Sequence, residues 1–250
     1  MQGGETLLRA QGSTRRWGGL VAVDNVSLDL ERDMVHAVIG TNGAGKSTLI
    51  NILSGEIPPS SGAVELLGQD VTSWSQPRRA RAGLGRSYQR NTIYPTFTVL
   101  ENCRLAAQAT VQKPWLWWTD AQQCTASMTQ ARASATRAGL DDLLDREAGL
   151  LSHGQKRQLE IAMCLATKPR VLLLDEPLAG MGAEETERML ALLAELKSSH
   201  AILLVEHDMD AVFRIADCIT VMVNGTVIAC GTPDYVRNSP EVRIAYLGEH

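Results

Sequence analysis

The stretch "VIGTNGAGKSTLI", Val38 to Ile50, decides how the rest of the chain is read. Gly40, Thr41, Asn42, Gly43, Ala44, Gly45, Lys46 and Ser47, with Thr48 following, match G-x-x-x-x-G-K-[ST] between the apolar run "MVHAVIG" and the helix-like "STLINILSGE". Glycines let the backbone curl until its N–H groups point at phosphates, and the following helix adds its positive N-terminal end. Lys46 can then reach the β and γ phosphates, and the Ser47 hydroxyl can ligate Mg²⁺. A chance glycine-rich turn would match these four fixed positions in roughly one chain in a hundred of this size. With strand and helix in the right order, the stretch is read as a nucleotide-binding loop.

Outward from this loop the chain reads as alternating strands and helices. Residues 21–30, "VAVDNVSLDL", alternate apolar and polar as a half-buried strand does. "RVLLLDE" and "HAILLVEH" are short apolar runs like "MVHAVIG", and "ITVMVNGTVIACG" has the form of a hairpin about Asn224-Gly225. Short, wholly apolar strands separated by helical stretches predict a parallel sheet covered on both faces. From about residue 98 to 150 strand signals vanish, and Ala, Gln, Arg and Leu take over, which predicts an inserted helical sub-domain. "AEETERMLALLAELK" places Met189, Leu190, Leu193 and Leu196 on one helical stripe.

The chain has 250 residues, enough for one large domain, with 44% hydrophobic and 21% charged residues. A net charge of −4 advertises no broad basic field for nucleic acid. The five cysteines, Cys103, Cys124, Cys164, Cys218 and Cys230, are far apart and form no C-x-x-C, which argues against a zinc site or disulfide framework. The start "MQGGETLLRA" has no signal-peptide core, and no run approaches the roughly 20 apolar residues of a membrane span. The expectation is a soluble protein, or one that docks on something else.

Two further stretches carry chemistry. "VLLLDEP" puts Asp175 at the end of an apolar run, where it can hold Mg²⁺, with Glu176 next to orient an attacking water. In "LSHGQKRQLEIAMCLA", Ser152 and Gln155 form a capping box that opens a helix. A capped helix start with Gly154 beside it is also an anion site, so a second phosphate grip suggests that two copies share each nucleotide.

At this point the chain resembles the ATP-binding cassette (ABC) ATPases. "LSHGQ" is similar to the signature pentapeptide of that family, and it lies upstream of "VLLLDEP" as it does there. The resemblance covers essentially the whole chain and implies a single ABC domain over residues 1–250. Its fold would be α/β: a P-loop NTPase (RecA-like) core of about 1–97 and 151–250, with an antiparallel β sub-domain and the helical insertion of about 98–150. It implies ATP and Mg²⁺, with Trp17 stacking on adenine, Gln89 touching Mg²⁺ and linking to a transmembrane partner, and His207 contacting the γ-phosphate. Catalysis would fall to Glu176, His207 and Lys46, and the metal to Ser47, Gln89 and Asp175. Ser152, Gly154 and Gln155 would hold the ATP of the opposite chain.

"DEPLAGMGAEE", "VEHDMDAVF" and "GTPDYVRNSPEVRIAYLGE" resemble the ATPase subunits of bacterial importers for branched-chain amino acids, amides and urea. Membrane permease subunits, a second ATPase subunit of the same or a related chain, and indirectly a periplasmic binding protein would then be its partners. It would sit on the cytoplasmic face of the inner membrane. Two rivals stand beside this: a soluble ABC ATPase of translation or DNA repair, and a non-enzymatic regulatory cassette. His153 replaces the commonest glycine of the pentapeptide, and Gly182 stands where the family usually has aspartate. Trp115, Trp117 and Trp118 are read as packing of the helical region in preference to a membrane or partner patch. Arg78, Arg79, Arg81 and Arg86 are read as a solvated helix face in preference to a lipid or RNA contact.

Overall fold

The computed structural model describes residues 4–88, 92–111 and 124–247. It divides into two compact units: Met1–Arg86, Arg170–Glu176 and Leu193–His250 form the first, Ser87–Pro169 and Pro177–Leu192 the second. The first begins β1 (Thr6–Trp17), β2 (Leu20–Glu31), β3 (Val35–Gly40), α1 (Lys46–Ser54), β4 (Ser61–Leu66), β5 (Gln69–Asp70), α2 (Gln76–Arg81) and β6 (Leu84–Arg86). The second contains α3 (Val99–Val111), α4 (Thr125–Arg137) and α5 (His153–Leu165). The chain then forms β7 (Val171–Asp175), α6 (Ala183–Lys197), β8 (Ala201–Val205), α7 (Met209–Ile215), β9 (Cys218–Val223), β10 (Thr226–Gly231), α8 (Pro233–Asn238) and α9 (Pro240–Leu247).

The first unit holds two sheets. The larger has the order β10-β9-β3-β8-β7-β6, parallel throughout except for β10, which runs antiparallel to β9. Every residue of β3, β7 and β8 is buried, as expected of parallel strands covered on both faces. The smaller, antiparallel sheet has the order β2-β1-β4-β5. Leu8, Val26 and Leu30 from this sheet, Leu49 and Leu53 from α1, and Leu173 and Leu203 from the parallel sheet share one hydrophobic core. Asn224 (φ 49°) and Gly225 (φ 83°) make the two-residue turn between β9 and β10, both in the left-handed conformation that such hairpins require.

Helix α1 ends at Gly55, whose φ of 78° closes a left-handed cap with its N–H on the Asn51 and Ile52 carbonyls. Beyond that cap lies Arg79, which is fully buried. Its guanidinium donates to the Ile52 and Leu53 carbonyls at 2.8 Å and to the Thr72 carbonyl at 3.1 Å. Burial pushes its pKa down to about 10. Arg86 reaches Asn51, Ser54 and Glu56. The basic run is therefore not a solvated helix face: Arg78 and Arg81 are exposed, but Arg79 and Arg86 tie down the C-terminal end of α1. A guanidinium offers five donors in a fixed fork, which suits the unpaired carbonyls at a helix end.

In the second unit α3, α4 and α5 pack around Val99, Cys103, Ala131, Ala135, Leu140, Leu159 and Ala162. The small residues let the helices approach closely, and burial raises the Cys103 thiol to about 12. Trp115, Trp117 and Trp118 lie outside the described residues. Among the described residues no helix is long and apolar enough to cross a membrane. The distant cysteines are not all apart in space: Cys218 and Cys230 bring their sulfurs to 3.8 Å across β9 and β10. Both are free thiols, and they meet because strand register, not chain distance, sets which side chains are neighbours.

Candidate nucleotide site

The loop between β3 and α1 is held by close backbone approach. A Cβ on Gly40 would lie 2.3 Å from the Met222 carbonyl oxygen, and one on Gly45 (φ 95°) 2.3 Å from that of Ala22. Only glycine fits where the loop is pressed so tightly against β9 and β2. The buried Lys46 side chain curls back, its Nζ donating to the Gly40 and Thr41 carbonyls at 2.7 and 3.1 Å. Burial lowers its pKa, while the charges of Glu176 and Asp175 work the other way. An ammonium has three N–H donors, so the cation that would meet phosphate is positioned with one to spare.

Leu20, Val21 and Ala22 of β2, Asn42 through Thr48, Glu176 and Asn224 line a cleft of about 380 Å³. Ser47 is exposed at the first turn of α1. Asp175 is buried at the end of β7, and Glu176 follows with φ 50°, its N–H donating to the Val205 carbonyl at 2.9 Å. A glutamate in the left-handed region is strained by about 1–3 kcal/mol, a cost that often marks a working side chain. Its Oε1 stands 3.5 Å from Nδ1 of His207, which is more than half exposed just beyond β8. Trp17, 49% exposed at the end of β1, pairs across the sheet with Leu20 and carries the Arg15 guanidinium 3.9 Å from its ring centre.

This cradle fits a triphosphate and its metal by its donors alone: backbone N–H groups at a helix start, Lys46, the Ser47 and Thr48 hydroxyls and the Glu176 carboxylate line one cleft, with buried Asp175 next in the chain to Glu176. Gln89 lies outside the described residues.

Ser152, Gly154 and Gln155 stand in the second unit. The Ser152 N–H donates to Gln155 Oε1 at 2.9 Å and the Gln155 N–H to Ser152 Oγ at 3.2 Å, which completes the capping box. Glu185, in the first turn of α6, places Oε1 2.9 Å from Ser152 Oγ and 3.3 Å from the Gly154 nitrogen, both donating to it. The Ser152 hydroxyl is the first cause of a carboxyl held below its ordinary range. These groups therefore hold an anion, the Glu185 carboxylate. A Cβ on Gly154 would come within 2.6 Å of the Glu185 carboxyl carbon, so a side chain there would push the anion out. His153 meets the Ala179 carbonyl through Nε2 at 2.9 Å.

Sequence reading placed Lys46, Ser47, Asp175, Glu176 and His207 together, and they do surround one cleft or touch its lining. It missed Glu185 and Asn224. Asn224 was within reach through its hairpin signal, whereas nothing in the sequence around Glu185 announces its contact with Ser152.

Residues 23–179 match the ABC transporter family. The chain belongs to that family. Residues 226–250 match the branched-chain amino acid ATP-binding cassette transporter family. The chain is 39% identical over 250 residues to the high-affinity branched-chain amino acid transport ATP-binding protein BraF of Pseudomonas aeruginosa, covering 97% of this chain and 98% of that protein. It is 41% identical over 253 residues to LivG of Salmonella typhimurium, described in the same words, covering 98% and 99%. A nucleotide-free ATP-binding cassette from an ABC transporter superposes with a TM-score of 0.87 at 30% identity, over 98% of this chain and all of that one. The ADP conformation of an ATP-binding cassette of an ABC transporter gives 0.84 at 29%, over 98% and 99%. As an ABC cassette, this chain binds ATP and is an ATPase.

Proposed function

We propose that this ABC ATPase drives a bacterial importer of branched-chain amino acids, docked peripherally on transmembrane permease subunits and closing with a second cassette around ATP. One observation carries the mechanism. The phosphate-gripping groups fall in two sets, Lys46 with Glu176 and His207 in one unit, and Ser152 with Gly154 in the other, where the Glu185 carboxylate keeps an anion's place. A signature site that already holds an anion suits the γ-phosphate of an ATP carried by a partner chain.

In this account Lys46 and the loop N–H groups bind the β and γ phosphates, and the adenine stacks on Trp17. Ser47 and Asp175, with Gln89, would hold Mg²⁺, which neutralises phosphate charge. Glu176 accepts the proton of the attacking water, and His207, beside it, donates to the γ-phosphate. Closure pulls the permease subunits through the segment after Gln89, and hydrolysis reopens the dimer. Solute arrives on a periplasmic binding protein and never meets this chain. Kinship with BraF and LivG and the matching C-terminal segment support the choice of solute.

The test is Glu176→Gln, which keeps shape and removes charge. Hydrolysis should slow by about a hundredfold or more, the scale for loss of a positioned base. Binding should persist, so the variant with ATP should elute as a dimer and with ADP as a monomer, tested alone and with its related partner cassette. Normal hydrolysis would exclude Glu176 as the base, and a monomer under both ATP conditions would exclude the shared site.

A further inference from the structure

Away from the nucleotide cleft, three strands of the parallel sheet bring a histidine and two thiols together. His36 of β3 pairs in register with Cys218 of β9, and Cys230 of β10 pairs with Thr220 of β9. Side chains two apart on a strand share a face, so His36, Cys218, Thr220 and Cys230 all project to one side. The ligating atoms of His36, Cys218 and Cys230 lie within 4.8 Å of one another. We propose that His36 Nε2, Cys218 Sγ and Cys230 Sγ form a site for a thiophilic cation, Zn²⁺, with its fourth position open to solvent.

Three features carry this beyond proximity. First, a tetrahedral zinc with sulfurs at about 2.3 Å sets two of them about 3.8 Å apart. The observed separation of the two sulfurs is 3.8 Å. Second, His36 is already oriented as a ligand. Its Nδ1 lies 3.0 Å from the Asp29 carbonyl, which can only accept, so Nδ1 carries the proton and the lone pair sits on Nε2. A backbone carbonyl fixing the far nitrogen is the usual arrangement behind a metal-bound histidine. Third, Nε2 is 2.8 Å from Thr220 Oγ1, and that same hydroxyl has Cys230 Sγ at 3.3 Å. With a cation on the Nε2 lone pair, the Thr220 hydroxyl keeps the Cys230 sulfur as its acceptor and stays satisfied.

Both thiols must lose their protons to ligate, so cation binding would release protons. His36 is buried, Cys218 half-buried and Cys230 exposed, giving an open approach from one side and a dry wall on the other. The cluster is remote from the phosphates: Gly40 pairs with Met222, four residues along β3 from His36, about 13 Å at strand spacing. Its effect would be to join β3, β9 and β10 at the end opposite the phosphate loop.

The test uses the full-length, reduced, chelator-treated protein, titrated with Co²⁺ as a spectroscopic probe and with Zn²⁺ in competition. One equivalent should bind, with sulfur-to-cobalt charge-transfer absorption and tetrahedral d–d bands, and Zn²⁺ should displace it. Cys218→Ser and Cys230→Ser should each weaken binding at least tenfold, and the double variant should lose the charge-transfer band. ATPase activity should stay within twofold of wild type in all three. Zn²⁺ should raise the Tm of the wild type and not that of the double variant, which also separates site loss from misfolding. Binding without thiolate charge transfer, or binding unchanged in the double variant, would overturn the site. So would a Cys218–Cys230 disulfide, seen by mass spectrometry, that forms in air as readily with excess Zn²⁺ as without.

Discussion

Glu185 Oε1 accepts a hydrogen bond from the Ser152 hydroxyl at 2.9 Å, so the signature end of this cassette is closed by its own carboxylate. A phosphate arriving there must displace that oxygen. Glu185→Ala should therefore ease engagement with nucleotide on a second chain. We expect a severalfold rise in ATPase activity at low protein concentration, where dimer formation limits the rate. Unchanged or lower activity across a concentration series would show that Glu185 supports the site instead of guarding it. Because hydrogen bonding depresses this carboxyl, the contact is fully present above the ordinary glutamate pKa of about 4.3 and is lost only as pH falls through the lower folded value. Above pH 6 the effect of the substitution should not depend on pH.

Lys46→Ala removes the cation whose ammonium is already anchored by the Gly40 and Thr41 carbonyls. Affinity for a non-hydrolysable ATP analogue should fall by at least a hundredfold in equilibrium binding, since buried charge-assisted bonds of about 1.5–3 kcal/mol each are lost. Secondary structure should be unaltered by circular dichroism.

Tyr94 and Phe97 stack at 5.4 Å between ring centres on the surface of the second unit. Behind them the buried Asn102 side chain accepts from the Tyr94 N–H and donates to the Tyr94, Phe97 and Thr98 carbonyls, so the exposed pair is rigidly presented. A firm aromatic pair just after Gln89 suits a docking surface. Replacing both rings with alanine should leave the ATPase activity of the isolated subunit within twofold while transport by the assembled complex drops tenfold or more. Transport at wild-type rates would move the coupling surface elsewhere.

What could be read from the sequence was what the chain settles locally. The phosphate loop depends on glycines a few residues apart, and the Asn224-Gly225 hairpin on two adjacent positions, so both are legible in the letters. Strand β1 is not: its residues TLLRAQGSTRRW show no sustained alternation, because Gly12 (φ 54°) and register shifts between Ala10 and Ser13 break the pleat. Arg79 misleads for a different reason. Arginines usually face water, and only the three-dimensional meeting of α2 with the end of α1 gives this one carbonyls to satisfy. Glu185 and the Cys218–Cys230 pair belong to the same class, contacts made by register and packing between segments that carry no shared motif.

Helix α1 is nine residues long, about 13 Å from phosphate loop to Gly55. Its positive end opens onto the nucleotide cleft, and its negative end rests on the Arg79 guanidinium, so the helix works as a strut loaded at both tips by opposite charge. Substitutions at Arg79 would then surface as poor nucleotide retention in a protein whose cleft residues are all intact. Arg79→Met, which keeps the apolar stem and removes the hydrogen bonds to three carbonyls, should cost about 3 kcal/mol of stability in denaturant unfolding. It should also weaken ATP binding measurably from the far side of the helix. Full nucleotide affinity in a destabilised Arg79→Met protein would show that the strut bears weight without transmitting it.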